Sequence, residues 1–136
     1  MQWSAVKNAG FTDGEPWLPI AEDYPLLNVE VERDDPGSML TLYKQLIDLR
    51  RGEPALEVGR FELMQAKDDI LVYVRQGGES VFLIALNFRA KPQTIEISQR
   101  AAAARILLST HLDRAGEYAS GSLALRGEEG LLVRLL

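Results

Sequence analysis

The stretch ILVYVRQGGESVFLIALNF, residues 70–88, decides the class of fold. Two runs rich in β-branched and aromatic residues, 70–76 and 80–88, flank the pair Gly77-Gly78. Strand-forming runs separated by a short glycine-containing turn are typical of an antiparallel β-hairpin. The sequence therefore predicts a sheet that contains this hairpin.

Patterns of period two continue on both sides of the hairpin. They predict further short strands at residues 61–65, 93–98, 103–110, 122–126 and 130–136. No helical stretch separates these strands, which favours antiparallel pairing over βαβ units. We expect a mostly β (α+β) chain whose residues 53–136 form an antiparallel β-sandwich of about seven to eight strands.

One α-helix is predicted over residues 36–52. Asp35 takes the N-cap position and Pro36 the first helical position, where a missing N–H costs nothing. Gly52 takes the C′ position, and Pro54 prevents continuation of the helix. The apolar positions follow helical spacing and include Met39, Tyr43, Leu46 and Ile47.

Residues 1–35 are predicted to be irregular, because Gly10, Gly14 and three prolines interrupt them. The segment is nevertheless rich in apolar and aromatic residues, including Trp3 and Trp17. Composition alone places both tryptophans in a core rather than on a sugar-stacking surface. A long apolar loop normally packs on another surface, so we expect this loop to have a partner.

Composition excludes several function classes. The chain has 136 residues, whereas a (β/α)₈ barrel takes about 250. It has no cysteine, hence neither disulfides nor thiolate metal sites. Its net charge of −5 argues against nucleic-acid binding, and no run reaches the roughly 20 apolar residues of a membrane span. No secretory signal pattern opens the sequence, so a cytoplasmic location is expected.

Few residues suggest chemistry. His111 is the only histidine, and it is expected to be a polar residue near a strand end rather than a metal ligand. Strand alternation would place Ser109, His111 and Asp113 on one side, but no nucleophile elbow surrounds the serine. The acidic pairs at 34–35, 68–69 and 128–129 are expected to be solvated turn or cap residues. We therefore predict neither a metal site nor a cofactor.

Four ordered motifs give the chain a family resemblance. They are MQWSAVKNAGF at 1–11, PWLP at 16–19, NV at 28–29 and DPGSMLTLYKQLIDLRR at 35–51. Together they resemble the α-glucosidase and oligo-1,6-glucosidase branch of the α-amylase superfamily, glycoside hydrolase family thirteen. The resemblance implies that residues 1–35 are the loop after the eighth barrel strand, 36–52 the last barrel helix and 53–136 the C-terminal β-sandwich, domain C.

The resemblance also implies what the chain does. The family's catalytic carboxylates precede the M-Q-W motif, so no catalytic residue is assigned here and Met1 corresponds to an internal family position. The chain is expected to be an inactive supporting fragment of a retaining α-glucosidase acting on oligosaccharides. Gln2 and Trp3 would bind substrate only within an intact parent. Ser4, usually Asp in the hydrolases, and Glu32, often Gln, leave hydrolysis, isomerisation and transglycosylation open.

Partners follow from the same expectations. The principal expected partner is the parent's catalytic barrel, whether joined to this chain or separately encoded, and self-association through the helix and loop is the alternative. A second function class is a free-standing β-sandwich that binds carbohydrate or protein through exposed aromatic residues. Its candidates, Phe61, Tyr73, Phe82 and Phe88, mostly fit alternating core positions.

Overall fold

The computed structural model describes residues 1–136 and divides into two compact units, Met1–Lys44 and Gln45–Leu136. The first unit contains a 3₁₀ turn, Lys7–Gly10, and helix α1, Val29–Asp34. Helix α2, Met39–Gly52, begins in the first unit and ends in the second, where helix α3, Pro54–Glu57, follows. None of these helices is long and apolar enough to cross a membrane.

Eight strands form the second unit. They are β1 Arg60–Lys67, β2 Ile70–Gly77, β3 Ser80–Asn87, β4 Gln93–Glu96, β5 Ala103–Ser109, β6 Tyr118–Ser120, β7 Ser122–Leu125 and β8 Gly130–Leu135. Six make one sheet in the order β1-β2-β3-β8-β5-β6, and β4 pairs with β7 in a second sheet. All pairings are antiparallel, so the predicted β-sandwich class is confirmed. Strand β6 was not predicted.

Two tight hairpins join the first three strands. Between β1 and β2, Asp68 and Asp69 both adopt φ of 57°, the left-handed geometry that a type I′ turn requires. Between β2 and β3, Gly77 pairs with Ser80, so the turn consists of Gly78 and Glu79. The hairpin predicted at residues 70–88 is confirmed, with its turn one residue later than the glycine pair suggested.

The core lies between the two sheets. Alternate residues of β2, namely Ile70, Val72 and Val74, are buried. They belong to one cluster with residues of the small sheet and its continuation, which include Ile95, Ile97, Leu123 and Leu125. Period-two alternation places every second side chain on one face, which explains how short strands seal this core.

The aromatic residues depart from the sequence-based expectation. Trp3 is 48% exposed and Trp17 is 85% exposed, so neither is a core residue. On the sheet, Phe82 is fully buried, but Phe61 and Phe88 are exposed. Phe61 lies on β1, which pairs with only one neighbouring strand, and Phe88 lies just beyond the end of β3. Alternation assigns a residue to a face but does not say whether that face is covered.

Helix α2 begins later than predicted. Ser38, not Asp35, caps it: the Ser38 Oγ accepts a hydrogen bond from the Thr41 backbone N–H at 3.1 Å. Asp35 instead accepts from the Gly37 N–H at 2.8 Å and forms a turn that precedes the helix. Gly52 is the last helical residue and lacks the left-handed conformation expected of a C′ glycine.

Candidate functional site

The M-Q-W segment is closed by an unusual left-handed turn. Asn8, Ala9 and Gly10 have φ angles of 57°, 55° and 64°. This conformation directs the Ala9 carbonyl toward the start of the chain, where it accepts from the N–H groups of Trp3 at 2.8 Å and Ser4 at 3.2 Å. Left-handed backbone is unfavourable for residues other than glycine, so the contacts of the turn must stabilise it.

The side chain of Asn8 supplies part of that stabilisation. Its Nδ2 donates to the carbonyls of Thr12 at 3.0 Å and Gly14 at 2.7 Å, which fixes the loop that follows. A Cβ placed on Gly10 would lie 2.6 Å from the Ser4 Oγ. The asparagine and the glycine of the N-A-G motif therefore each have a local structural role.

Gln2 and Trp3 are held by their backbones. Their carbonyls accept from Val29 N and Glu30 N, each at 3.0 Å. The Gln2 Nε2 also donates to Asp23 Oδ1 at 3.2 Å. The first residues thus lie against the start of α1, although they are distant from it in sequence.

Asn28 orders the start of α1. Its side chain is buried, with Nδ2 donating to the Tyr24 carbonyl at 2.8 Å and Oδ1 accepting from Val31 N at 3.0 Å. This helix N-cap lies within the stretch predicted to be irregular. The asparagine of the N-V motif is therefore a capping residue, which is a role that its residue type alone could have indicated.

Glu32 joins α1 to α2. Its Oε2 accepts from the Leu40 N–H at 3.1 Å, and its carbonyl accepts from the Ser38 hydroxyl at 2.7 Å. The side chain acts only as an acceptor in these contacts, a role that the amide oxygen of a glutamine could also fill. A structural role therefore accounts for Glu32 at a position where the family often has Gln, without reference to reaction specificity.

A cavity of about 290 Å³ lies in the first unit. Its lining includes Gln2, Asn8, Phe11, Trp17 and Leu18, together with the buried Ala9. Gln2 thus lines a cavity, whereas Trp3 does not. Of the two residues that the sequence offered as substrate contacts, the structure brings only Gln2 to a concave surface, and it adds Trp17.

Helix α2 carries an uncovered apolar stripe. Met39, Tyr43, Leu46 and Ile47 are between 39% and 61% exposed, although their spacing places them on one side of the helix. Uncovered apolar surface of this kind usually marks an interface.

The second unit contains a buried polar cluster that the sequence did not reveal. Glu129, which precedes β8, is buried, and its carboxylate accepts five hydrogen bonds. Oε1 accepts from Ser109 Oγ at 2.9 Å and from Arg126 Nε and Nη2 at 2.9 and 2.5 Å. Oε2 accepts from Arg126 N at 2.7 Å and Arg114 Nη1 at 3.0 Å. The prediction that the pair 128–129 is solvated is therefore wrong for Glu129.

The cluster has a clear charge state. Burial raises the pKa of Glu129, but the hydrogen bonds from Arg126 and Ser109 and the charge of Arg114 outweigh it, so the pKa lies below its ordinary value. Asp113 forms two bonds of 2.7 Å to Arg126, which lower its pKa from 3.8 to about 2. Both carboxylates are therefore ionised near neutral pH. Glu129, whose two oxygens already accept five hydrogen bonds, has a structural role.

The structure also shows where the other candidate residues, Ser109, His111 and Asp113, lie. Strand β5 ends at Ser109, and Leu112 has φ of 58°, so alternation does not continue to Asp113 as predicted. His111 is exposed beyond the strand end, as expected, and only its backbone N–H bonds to Ser109 Oγ. No group of histidine or acidic residues in the chain is arranged to hold a metal ion.

Known proteins match residues in both units of the chain. The family model described as Alpha amylase, catalytic domain, matches residues 1–59. The chain is 42% identical over 96 residues to the protein named Probable oligo-1,6-glucosidase 2 of Bacillus subtilis, with 70% of this chain and 17% of that protein covered. It is 35% identical over 141 residues to the amino acid transporter heavy chain SLC3A1 of Rattus norvegicus, with 98% and 21% covered.

Solved structures agree with these relatives. The trehalulose synthase MutB from Pseudomonas mesoacidophila superimposes with a TM-score of 0.88 at 28% identity, over 99% of this chain and 24% of that one. The chain thus spans between about a sixth and a quarter of the length of these three proteins. The match supports the interpretation of the chain as a glycoside hydrolase fragment.

Proposed function

We propose that this chain is the supporting C-terminal piece of a glycoside hydrolase acting on α-glucosidic bonds of oligosaccharides. The proposal rests on the similarity of the chain to α-glucosidase-like proteins of the α-amylase superfamily. In this function it packs against a catalytic barrel and does not itself supply the catalytic carboxylates. Alone, it is inactive.

The uncovered stripe of α2 is the observation that supports this proposal most strongly. Met39, Tyr43, Leu46 and Ile47 expose apolar surface on a helix whose N-terminal end is ordered by Ser38 and Glu32. Burial of a side chain of this size contributes about 1.5–3 kcal/mol. A partner that covers the stripe would therefore bind with considerable free energy, and a barrel wall offers the matching apolar surface.

Co-expression with a barrel tests the proposal. The Bacillus subtilis relative would be truncated to remove the segment that matches this chain, and the two chains would be purified together. We expect hydrolysis of p-nitrophenyl α-glucoside by the complex and none by either chain alone. Hydrolysis by the 136-residue chain alone, above a blank with heat-denatured protein, would contradict the proposal.

A matched pair of variants tests the interface. Ile47→Asp places a charge in the stripe, whereas Gln45→Asp places the same charge at an exposed position outside it. We expect the first variant to abolish co-purification and the second to leave it intact. Equal effects of both would show that the stripe is not the contact surface.

A second candidate function rests on a separate observation. Phe61 is 54% exposed and its ring centroid lies 5.2 Å from that of Tyr73, which gives the sheet an aromatic surface. The relative SLC3A1 is named a transporter heavy chain rather than a glycosidase, so similarity to these proteins does not by itself imply catalysis. Saturable binding of maltose that Phe61→Ala removes would favour a free-standing binding module.

A further inference from the structure

Two arginines face each other on the side of the six-stranded sheet that is turned away from the core. Arg105 of β5 lies directly opposite Arg134 of β8. Their neighbours in sequence, Ile106 and Val133, belong to the buried cluster, so alternation places both arginines on the other face. We propose that this pair binds a phosphate group. The site is independent of the proposed function, which assigns no anion to the chain.

The pair lacks a complete counter-charge. Like charges directly opposite each other on antiparallel strands destabilise a sheet, because their Cβ atoms lie about 4.5–5.5 Å apart. The Arg105 side chain is exposed and makes neither an ion pair nor a hydrogen bond. Arg134 donates to the Ser80 Oγ at 3.2 Å, but its nearest carboxylate oxygen, Glu53 Oε1, is 3.9 Å away and outside hydrogen-bond distance. A bound anion would therefore relieve the repulsion.

The other arginines of residues 53–136 do not share this combination. Four of them bond a carboxylate, namely Arg89, Arg100, Arg114 and Arg126. Arg75 donates to the Ala55 and Glu57 carbonyls at 3.4 and 3.1 Å. Arg60 makes no ion pair, but it lies opposite the neutral Gln76. Opposed positive charges with incomplete pairing thus occur only at Arg105 and Arg134.

Charge and donor geometry fit a phosphate better than a carboxylate. Two guanidinium groups match the charge of a phosphate dianion, whereas a carboxylate carries a single negative charge. The planar fork of an arginine binds two phosphate oxygens at once. The Ser80 hydroxyl, which accepts from Arg134, keeps its own proton as a further donor. Tyr118 of β6 lies directly opposite Arg105 and adds a second hydroxyl to this face.

Free phosphate and a phosphate monoester share this chemistry. Tyr118 is 69% exposed, and its ring offers a flat apolar surface for the organic part of a monoester. Inorganic phosphate and phenyl phosphate are therefore the two probes. Tighter binding of phenyl phosphate would assign a monoester to the site, and equal affinity would assign free phosphate.

The binding test uses the 136-residue chain labelled with ¹³C-arginine. The Cδ signals of Arg105 and Arg134 are assigned by the variants Arg105→Gln and Arg134→Gln. Each probe is titrated at about pH 7, where a phosphate monoester is mainly a dianion. Sodium chloride at matched ionic strength is the comparison, because salt screens exposed charges.

We expect phosphate to shift both signals saturably in the millimolar range and to leave the Arg60 signal in place. Arg105→Gln, followed through the Arg134 signal, should weaken the affinity about tenfold, the factor that loss of one charged hydrogen-bonding group produces. Glu53→Gln should strengthen binding, because it removes the carboxylate nearest to Arg134. Arg60→Gln is the matched control, since it removes the same charge elsewhere, and should leave the affinity unchanged.

Thermal unfolding provides a second readout with a definite sign. At low salt and without phosphate, Arg105→Gln should unfold at a higher temperature than Arg60→Gln, because only the first variant relieves the opposed charges. Phosphate should raise the Tm of the unsubstituted chain, since a ligand that binds only the folded state stabilises it. The same addition should have little effect on Arg105→Gln.

Three results would overturn the inference: shifts that follow ionic strength alone, unchanged phosphate affinity in Arg105→Gln, or equal effects of Arg105→Gln and Arg60→Gln. Because the Arg105 side chain is exposed, its replacement should not unfold the chain, and unchanged signals of the other arginines verify this. None of these results affects the co-expression experiment, so the two proposals fail separately.

Discussion

Arg114 donates from Nη1 to the buried Oε2 of Glu129 at 3.0 Å, and this bond joins the loop after β5 to the start of β8. Arg126 contacts the same carboxylate from the end of β7. One buried acid thus ties together the connection after β5 and the connection between β7 and β8 at one end of the sandwich.

Removal of this acid should destabilise the chain strongly. Glu129→Ala leaves Arg114, Arg126 and Ser109 without their shared acceptor, and loss of one member of a buried ion pair costs about 3–5 kcal/mol. We expect the free energy of unfolding, measured in urea, to decrease by an amount near the lower limit of this range, because Arg126 keeps its bond to Asp113. The adjacent Glu128 is exposed, so Glu128→Gln should change the unfolding free energy by less than about 0.5 kcal/mol.

Stability should fall in acid. The folded pKa of Asp113 is about 2 against 3.8 without its partner, and that of Glu129 is also lowered. Each contributes stability that is present above its unfolded pKa and is lost as pH falls through the folded pKa, since the unfolded chain then binds more protons. Unfolding free energy should therefore decrease between about pH 4 and pH 2. Asp113→Asn should flatten this profile, and an unchanged profile would contradict the assignment.

The cap of α2 can be tested by comparing two candidates. Ser38→Ala removes both the acceptor for Thr41 N and the donor to the Glu32 carbonyl, and loss of such a cap costs about 1 kcal/mol. Asp35→Ala removes only the turn bond to Gly37 N and should cost less. Amide exchange of Thr41 in the two variants measures the difference. Faster exchange of the Thr41 amide in Asp35→Ala than in Ser38→Ala would show that Asp35, and not Ser38, caps α2.

The left-handed turn should respond to a methyl group. Gly10→Ala should destabilise the first unit by about 1–2 kcal/mol, because φ of 64° disfavours an alanine and its Cβ would approach the Ser4 Oγ. The exchange rates of the Trp3 and Ser4 amides, both bonded to the Ala9 carbonyl, report the effect. In a Ser4→Ala background the contact disappears, and the remaining cost should be the conformational one alone.

Alanine substitution of Gly127 and of Gly52 should change the stability of the chain in opposite directions. A Cβ on Gly127 would lie 2.0 Å from the Ala90 carbonyl oxygen, so Gly127→Ala should destabilise the sandwich by about 2–3 kcal/mol. Gly52 ends α2 with nothing within 4 Å of the same atom, and Gly52→Ala should stabilise by about 0.5–1 kcal/mol. Thermal unfolding of both variants checks the signs, and a stable Gly127→Ala would show that the turn at 127 can move.

The elements that local pattern could predict are those whose residues carry the signal themselves. The hairpin at 70–88, the strands at 93 and 130 and the body of α2 follow from alternation, helical spacing and turn residues. Strand β6 was not predicted because three residues are too few to show a period. Helix α1 was not predicted because its six residues make fewer than two turns, too few to show a helical period.

The sequence by itself determined the class of fold, the hairpin at 70–88 and the family resemblance, because these depend on residues close together in the chain. Only the tertiary structure decided that Glu129 is buried while Glu128 is exposed, that Trp17 lines a cavity while Trp3 does not, and that Ser38 caps α2. These outcomes depend on partners such as Ser109 and Arg114, which lie 20 and 15 residues from Glu129. Burial depends on such contacts between residues that are distant in sequence, and a local pattern does not contain them.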